Sequence, residues 1–169
     1  MITIRDEQAD DIAYVHELNA LAFDAEAEAN LVDVLRETAR PVISLVAVED
    51  ETIVGHIMFT PVELSGSSSL MIMGLAPMAV VPDRQRSGIG SGLAKEGLNR
   101  CKEIGAGAVV VLGHPAYYPR FGFVPASTMN IRCEYDVPDE VFMVLELTSG
   151  YLAGAIGAIR YHEAFAEAM

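Results

Sequence analysis

A mixed α/β domain with helices on both faces of one sheet follows from three features of the sequence. Two amphipathic runs come first, between Asp10 and Thr38. Three strand-like apolar runs follow, and a glycine-entered helical run then separates the third of them from a fourth. Pro77 interrupts the third strand run, where a missing N–H predicts a bulge or splay.

Each element has a local reason. Asp10 and Asp11 precede Ile12, Val15, Leu18 and Leu21, which predicts a capped first helix with one buried face. Ala25 to Thr38 reads as a second helix through Ala27, Leu31, Val34 and Leu35, and Pro41 closes the segment. Val42 to Val48 and Thr52 to Thr60 flank Glu49-Asp50-Glu51 and read as an antiparallel hairpin. Leu70 to Val81 is the interrupted strand, after a polar loop at Ser65 to Ser69. Gly88 to Cys101, with Ile89, Leu93 and Leu98, is helical, and Ala108 to Leu112 is a short buried strand. A turn-rich segment from His114 to Phe123 follows and carries a short helix; strands are then expected near Phe142 to Leu147 and Gly157 to Tyr161.

With 169 residues, the chain has room for one domain over residues 1–169 and a core that needs no disulfide. Hydrophobic residues at 51% exclude intrinsic disorder. A net charge of −13 argues against a protein that tracks nucleic-acid phosphates, because such surfaces need clustered cations. Cys101 and Cys133 lack metal-site or CxxC spacing and fit free thiols in a reducing compartment. The amino terminus shows no export signal, and the Tyr151 to Ile159 apolar stretch falls far short of the ~20 residues that cross a bilayer. A soluble, cytoplasmic protein is expected, with no membrane partner.

The most informative segment runs from Val80 through Gln85-Arg-Ser-Gly88-Ile-Gly90-Ser-Gly to Leu93. A strand enters glycines and passes directly into a helix. Glycines let successive N–H groups converge on one point, and the helix start adds unpaired N–H groups and its dipole. Such a loop holds a phosphate or pyrophosphate, with Arg84 and Arg86 adding positive charge. It is not a P-loop, since Gly92 is followed by Leu93 and Ala94. Nor is it the dinucleotide fingerprint, which needs glycine at Leu93. What fits is QxxGxG, at Gln85, Gly88 and Gly90. A plain tight turn is the bland alternative.

On these residues the chain resembles the GNAT superfamily of N-acetyltransferases. The likeness extends to Ile4-Arg5 with Asp11, the Ile53-Val54-Gly55 strand, and YxxxGF from Tyr118 to Phe123. It implies a mostly antiparallel central sheet with a splayed middle strand, and a loop that wraps the pyrophosphate of acetyl-coenzyme A. By motif, the cofactor positions fall on the backbone of Met78, Ala79 and Val80 and on Arg86, Ser87, Gly88, Ile89, Gly90 and Ser91. His114 and Tyr117 fall beside the cofactor arm. The family's oxyanion contact maps to a main-chain N–H near Ala79.

Acetyl transfer needs a neutral amine, a polarised carbonyl and a proton for the departing thiolate. Tyr118 occupies the family position of the general acid; adjacent Tyr117 fits either that role or packing under the cofactor, and Phe121 and Phe123 read as core. Gly74-Leu-Ala-Pro-Met78 has no carboxylate where many relatives carry a glutamate. The resemblance, in which the second helix borders the acceptor groove, implies Glu28 as the first candidate for general base; a solvated glutamate in an acidic run is the bland alternative, and His56, His114 or a water relay are the other candidates. His16, His56, His114 and His162 are too widely spaced for a metal site.

The expected activity is acetyl transfer from acetyl-coenzyme A to a primary amine of a small molecule or peptide, by direct attack in a ternary complex. The missing strand carboxylate motivates a different class, a non-catalytic acyl-coenzyme A sensor. Apolar residues between Gly150 and Ile159 allow a homodimer contact.

Overall fold

In the computed structural model, residues 1–168 are described. The chain runs β1 (Ile2–Asp6), α1 (Ile12–Phe23), α2 (Ala27–Thr38), β2 (Ile43–Glu49), β3 (Thr52–Leu64), β4 (Ile72–Val80), α3 (Ile89–Glu103) and β5 (Ala108–Leu112). It continues through β6 (Val124–Pro125), β7 (Ile131–Cys133), β8 (Phe142–Glu146) and β9 (Gly157–Arg160), joined by short 3-10 turns. The main sheet has the order β1-β2-β3-β4-β5-β8-β6, and β9 pairs with the far end of β3 and with β7. Only β4–β5 and β7–β9 are parallel.

Period-two alternation divides the core between the two faces of the sheet. Val46, Met58, Val62 and Val110 point toward α1, α2 and the C-terminal segment. Leu45, Ala47, Phe59, Met73, Val109 and Val111 point toward α3 and pack on Leu93, Ala94 and Cys101. Helices on both faces thus bury the sheet.

Several expectations are corrected. β1 lacks a strong sequence signal, yet it pairs along its whole length with β2, from Ile2 opposite Glu49 to Asp6 opposite Leu45. β6 and β7 are two and three residues long and went unpredicted. On α1, Val15 and Leu18 are buried while Ile12 and Leu21 are exposed, because a three-residue spacing drifts off a 3.6-residue helix. Asn19 takes the inward place instead. On α2, Val34 is exposed and Val32 is buried. Asp11 does not cap α1 through its side chain. Its carboxylate accepts from the Gln8 N–H at 2.7 Å and pairs with Arg5 at 2.7 and 3.1 Å. Within Gly150 to Ile159, Leu152 and Ile159 are buried, leaving Ile156 as the exposed large apolar side chain.

Candidate active site

The interruption at Pro77 positions the site. Ile57 pairs with Met78 but Phe59 pairs with Leu75, so β4 carries one extra residue around Ala76-Pro77. On its other edge β4 pairs with β5 only from Ile72 to Leu75. Beyond Leu75 the two strands part, and the main chain from Ala76 to Val80 has no strand opposite it on that side. The edge is open to a ligand.

The loop after β4 shapes one end of the opening. Arg86 and Gly88 both have left-handed backbones, at φ of 65° and 90°, which turns neighbouring amides toward a common point. The Gly92 amide closes the first turn of α3 on the Gly88 carbonyl at 3.0 Å, so the amides before it have no partner within the helix. Gln85 fixes the loop by donating to the Val80 carbonyl at 3.0 Å, and the Ser87 hydroxyl donates to the Arg84 carbonyl. The two loop arginines differ. Arg84 is tied to Glu49 of β2 at 2.6 Å, whereas Arg86 has no ion pair among the described residues and lines the opening.

The resulting groove, of about 690 Å³, is lined by Met78, Val80, Gln85, Arg86, Gly88, Gly90, Ser91, His114, Tyr117 and Arg120. Eight of the predicted cofactor positions therefore face it. Ala79 and Ile89 bury their side chains, leaving only main-chain atoms for a ligand, and Ser87 spends its hydroxyl inside the loop. Gly90 lies close to the groove wall: a β-carbon there would sit 3.1 Å from the Tyr117 hydroxyl, close enough that the ring would have to give by a few tenths of an ångström, and 3.6 Å from Met78 Cε. Ser91 and Tyr117 bring their hydroxyls within 3.2 Å.

Arg120 was missed by the sequence reading. Its Nε donates to the Tyr117 carbonyl at 2.8 Å, and its guanidinium lies 4.2 Å over the Tyr117 ring, which carries the cation to the rim of the groove. Its place three residues after Tyr117 in a turn was the available signal.

A second cavity, of about 230 Å³, adjoins the first through Met78, which lines both. Glu28 enters it from α2, Leu75 to Pro77 from the bulged strand, and Tyr118 from the 3-10 turn after β5. The neighbouring tyrosines thus separate, Tyr117 to the groove and Tyr118 to the cavity. A β-carbon at Gly113 would run into the Tyr118 ring, so this glycine makes room for it. Burial pushes the Tyr118 phenol up to about 12, with Tyr117 adding to the effect, and keeps it protonated at neutral pH. Phe123 is buried against Tyr118 at 5.7 Å, while Phe121 is half-buried.

The other candidate bases lie elsewhere. His56 is fully buried between Asn19 and Ser44, and desolvation, with Arg36 adding to it, pushes its pKa down to about 3. His114 lines the groove, with Nδ1 accepting from the Ala116 N–H at 3.2 Å. Glu28 alone among the three lines the Tyr118 cavity. Among the described residues no cluster of three His, Cys, Asp or Glu side chains forms a metal site, and no helix is long and apolar enough to cross a membrane.

The family described as acetyltransferase (GNAT) domain matches residues 3–126. The uncharacterized N-acetyltransferase YhbS of Escherichia coli K12 is 39% identical over 145 residues, covering 85% of this chain and 86% of that one. The crystal structure of YhbS from Escherichia coli in complex with CoA superposes with a TM-score of 0.92 at 37% identity, over 98% of this chain and 92% of that one. A GNAT acetyltransferase from Brucella melitensis in complex with acetyl-CoA gives a TM-score of 0.81 at 34% identity, over 98% of each chain. Sequence, splayed strand and loop agree: the chain belongs to the GNAT family of N-acetyltransferases.

Proposed function

We propose that the protein transfers an acetyl group from acetyl-coenzyme A to a primary amine by direct attack in a ternary complex. One observation carries this reading. The groove and the cavity share Met78, and the cavity is lined by both a carboxylate, Glu28, and a buried phenol, Tyr118. The crystal structures with CoA and acetyl-CoA in similar proteins support the assignment of the groove.

The loop amides and Arg86 receive the pyrophosphate, and the unpaired β4 edge receives the amide-bearing arm. The bound thioester supplies the activated acetyl group. A main-chain N–H near Ala79 polarises its carbonyl. Glu28 accepts the proton that an ammonium must shed before its nitrogen attacks. The new C–N bond forms as the C–S bond breaks, and Tyr118 faces the sulfur. Because a phenol near 12 is a weaker acid than a thiol near ~8.5, Tyr118 serves first as a hydrogen-bond donor to the developing thiolate. The ammonium proton taken by Glu28 passes on to solvent, and the second N–H proton, lost as the C–N bond forms, balances the one the departing thiolate gains.

The absence of a carboxylate in Gly74–Met78 motivated the sensor alternative, and Glu28 on the facing helix supplies that missing group. Two unpaired thiols, Cys101 and Cys133, fit a cytoplasmic setting. Acetyl-coenzyme A titration by calorimetry and thiol release over an amine panel test the reading. Tyr118→Phe is expected to lower kcat by about 10²–10⁴-fold while leaving the acetyl-coenzyme A Kd unchanged. Unchanged turnover removes Tyr118 from the reaction, and binding without release on any amine favours the sensor.

A further inference from the structure

The charge of the groove is out of keeping with the rest of the chain. Aspartates and glutamates number 24 against 11 lysines and arginines, and Arg5, Arg36, Arg84 and Arg100 are each tied to a carboxylate. The groove is nonetheless lined by Arg86 and Arg120, neither with a carboxylate partner among the described residues, and by no aspartate or glutamate. Two cations kept apart from carboxylates in one groove of an acidic protein suit a ligand with more than one anionic group.

The two arginines come from different walls. Arg86 belongs to the loop before α3, where the left-handed backbones of Arg86 and Gly88 gather unpaired amides. Amides, helix start and Arg86 together make that wall sufficient for a pyrophosphate. Arg120 comes from the turn after β5, and its guanidinium is built into place. Its Nε donates to the Tyr117 carbonyl at 2.8 Å, and its Cζ lies 4.2 Å over the Tyr117 ring. Tyr117 is held in turn, with its hydroxyl 3.2 Å from that of Ser91 and its ring 5.5 Å from Phe121. The Nη1 and Nη2 groups of Arg120 make no hydrogen bond among the described residues, so the fork is left for a ligand.

Coenzyme A has two anionic groups, the pyrophosphate and a phosphate monoester at the 3′ position of its ribose. The thioester has to reach the buried Tyr118, so the nucleotide is the end left toward solvent, and Arg120 is an exposed side chain of the groove. Resting on the acetyltransferase reading above, we infer that Arg120 receives the 3′-phosphate and so makes the protein select coenzyme A thioesters over their 3′-dephospho counterparts. An exposed charge-assisted pair of this kind weakens as salt rises.

Calorimetric titration of the full chain with acetyl-coenzyme A and with 3′-dephospho-acetyl-coenzyme A tests the inference. The wild type is expected to bind the first about tenfold more tightly at low salt, with a ratio that shrinks as salt is added. Arg120→Gln is expected to raise the acetyl-coenzyme A Kd to that of the dephospho compound and to leave the latter unchanged, which also shows the variant folded. Arg120→Lys keeps the charge without the fork and is expected to retain part of the ratio. Arg86→Gln, on the pyrophosphate wall, is expected to weaken both compounds alike. A wild-type ratio of one, or a ratio that survives in Arg120→Gln, overturns the assignment while leaving the acetyltransferase reading intact. An equal loss for both compounds in Arg120→Gln also overturns it, because the arginine then serves the pyrophosphate. Failure of the wild type to bind either compound overturns the groove and the acetyltransferase reading together.

Discussion

The groove and the cavity meet at Met78 and are built by opposite means. The groove comes mostly from one stretch, Met78 to Ser91, with its left-handed turns at Arg86 and Gly88, and is closed by His114, Tyr117 and Arg120. The cavity is side chain, gathered from the end of α1, from α2, from β4, from the turn at Tyr118, and from residues 135, 161 and 165. Amides offer the same donors whatever the residue, so the groove needs only the right backbone turns. The cavity depends on which side chains a long-range fold happens to bring together. A groove that many sequences can build and a cavity particular to one sequence are the physical consequence.

The largest break in this comparison is expected from Gly90→Val. Its branched side chain would press on Tyr117 and Met78 at the mouth of the helix. Bulk placed in the groove wall is expected to raise the acetyl-coenzyme A Kd by roughly ten- to hundredfold, equivalent to about 1.4–2.8 kcal/mol. Calorimetry measures it. A variant that binds as tightly as wild type shows that the glycine face of α3 is not where the cofactor lies.

The same contrast governs what the sequence revealed. QxxGxG announces a strand, a turn and a helix start within a dozen residues, so the loop was legible at once. Pro77 likewise announced the bulge, because a residue without an N–H cannot complete a ladder. Arg84 and Arg86 looked equivalent, and only the fold brings Glu49 onto one of them. Tyr117 and Tyr118 looked interchangeable until the turn sent them to different walls. Glu28 came from family resemblance rather than from local pattern: Glu26 and Asp33 share its helix region, yet they are engaged with His16. Tyr135, Tyr161 and Phe165 went unread as site residues because nothing local links them. β6 and β7 were illegible for the same reason, being held by their partners β8 and β9.

A smaller effect separates the halves by pH. α1 is fastened to the sheet through Asn19, whose amide donates to the Val15 carbonyl at 3.0 Å and to His56 Nδ1 at 3.2 Å. His56 Nε2 then donates to the Ser44 hydroxyl at 2.8 Å. Burial, helped by Arg36, lowers the His56 pKa to about 3 from 6.5. The unfolded chain takes up this proton near 6.5 while the folded one resists it. The contribution to stability is therefore complete above 6.5 and is lost as pH falls toward 3, at about 1.4 kcal/mol per unit. Urea unfolding is expected to show a loss of roughly 2 kcal/mol between pH 7 and pH 5 that His56→Gln lacks. Parallel losses in both proteins show that the His56 tie contributes nothing to acid sensitivity.

The smallest effect is expected from the other histidine of this region, and its sign is reversed. His16 on α1 places Nδ1 2.7 Å from Asp33 and Nε2 2.9 Å from Glu26, so both ring nitrogens face carboxylates across the α1–α2 contact. These partners, Asp33 first, raise its pKa above the ordinary 6.5 despite some desolvation. A raised histidine holds its full contribution below 6.5 and loses it as pH rises through the folded value. The site is largely exposed, so solvent screening limits each pair to about 0.2–1 kcal/mol, or about 1–3 °C in the thermal midpoint of a domain this size. From pH 6 to pH 9 the wild-type midpoint is expected to fall further than that of His16→Gln by this margin. Equal falls place the α1–α2 contact in its apolar residues alone. A larger wild-type fall makes His16 an alkaline-sensitive tie between α1 and α2, opposite in sign to the acid-sensitive tie of α1 to the sheet at His56.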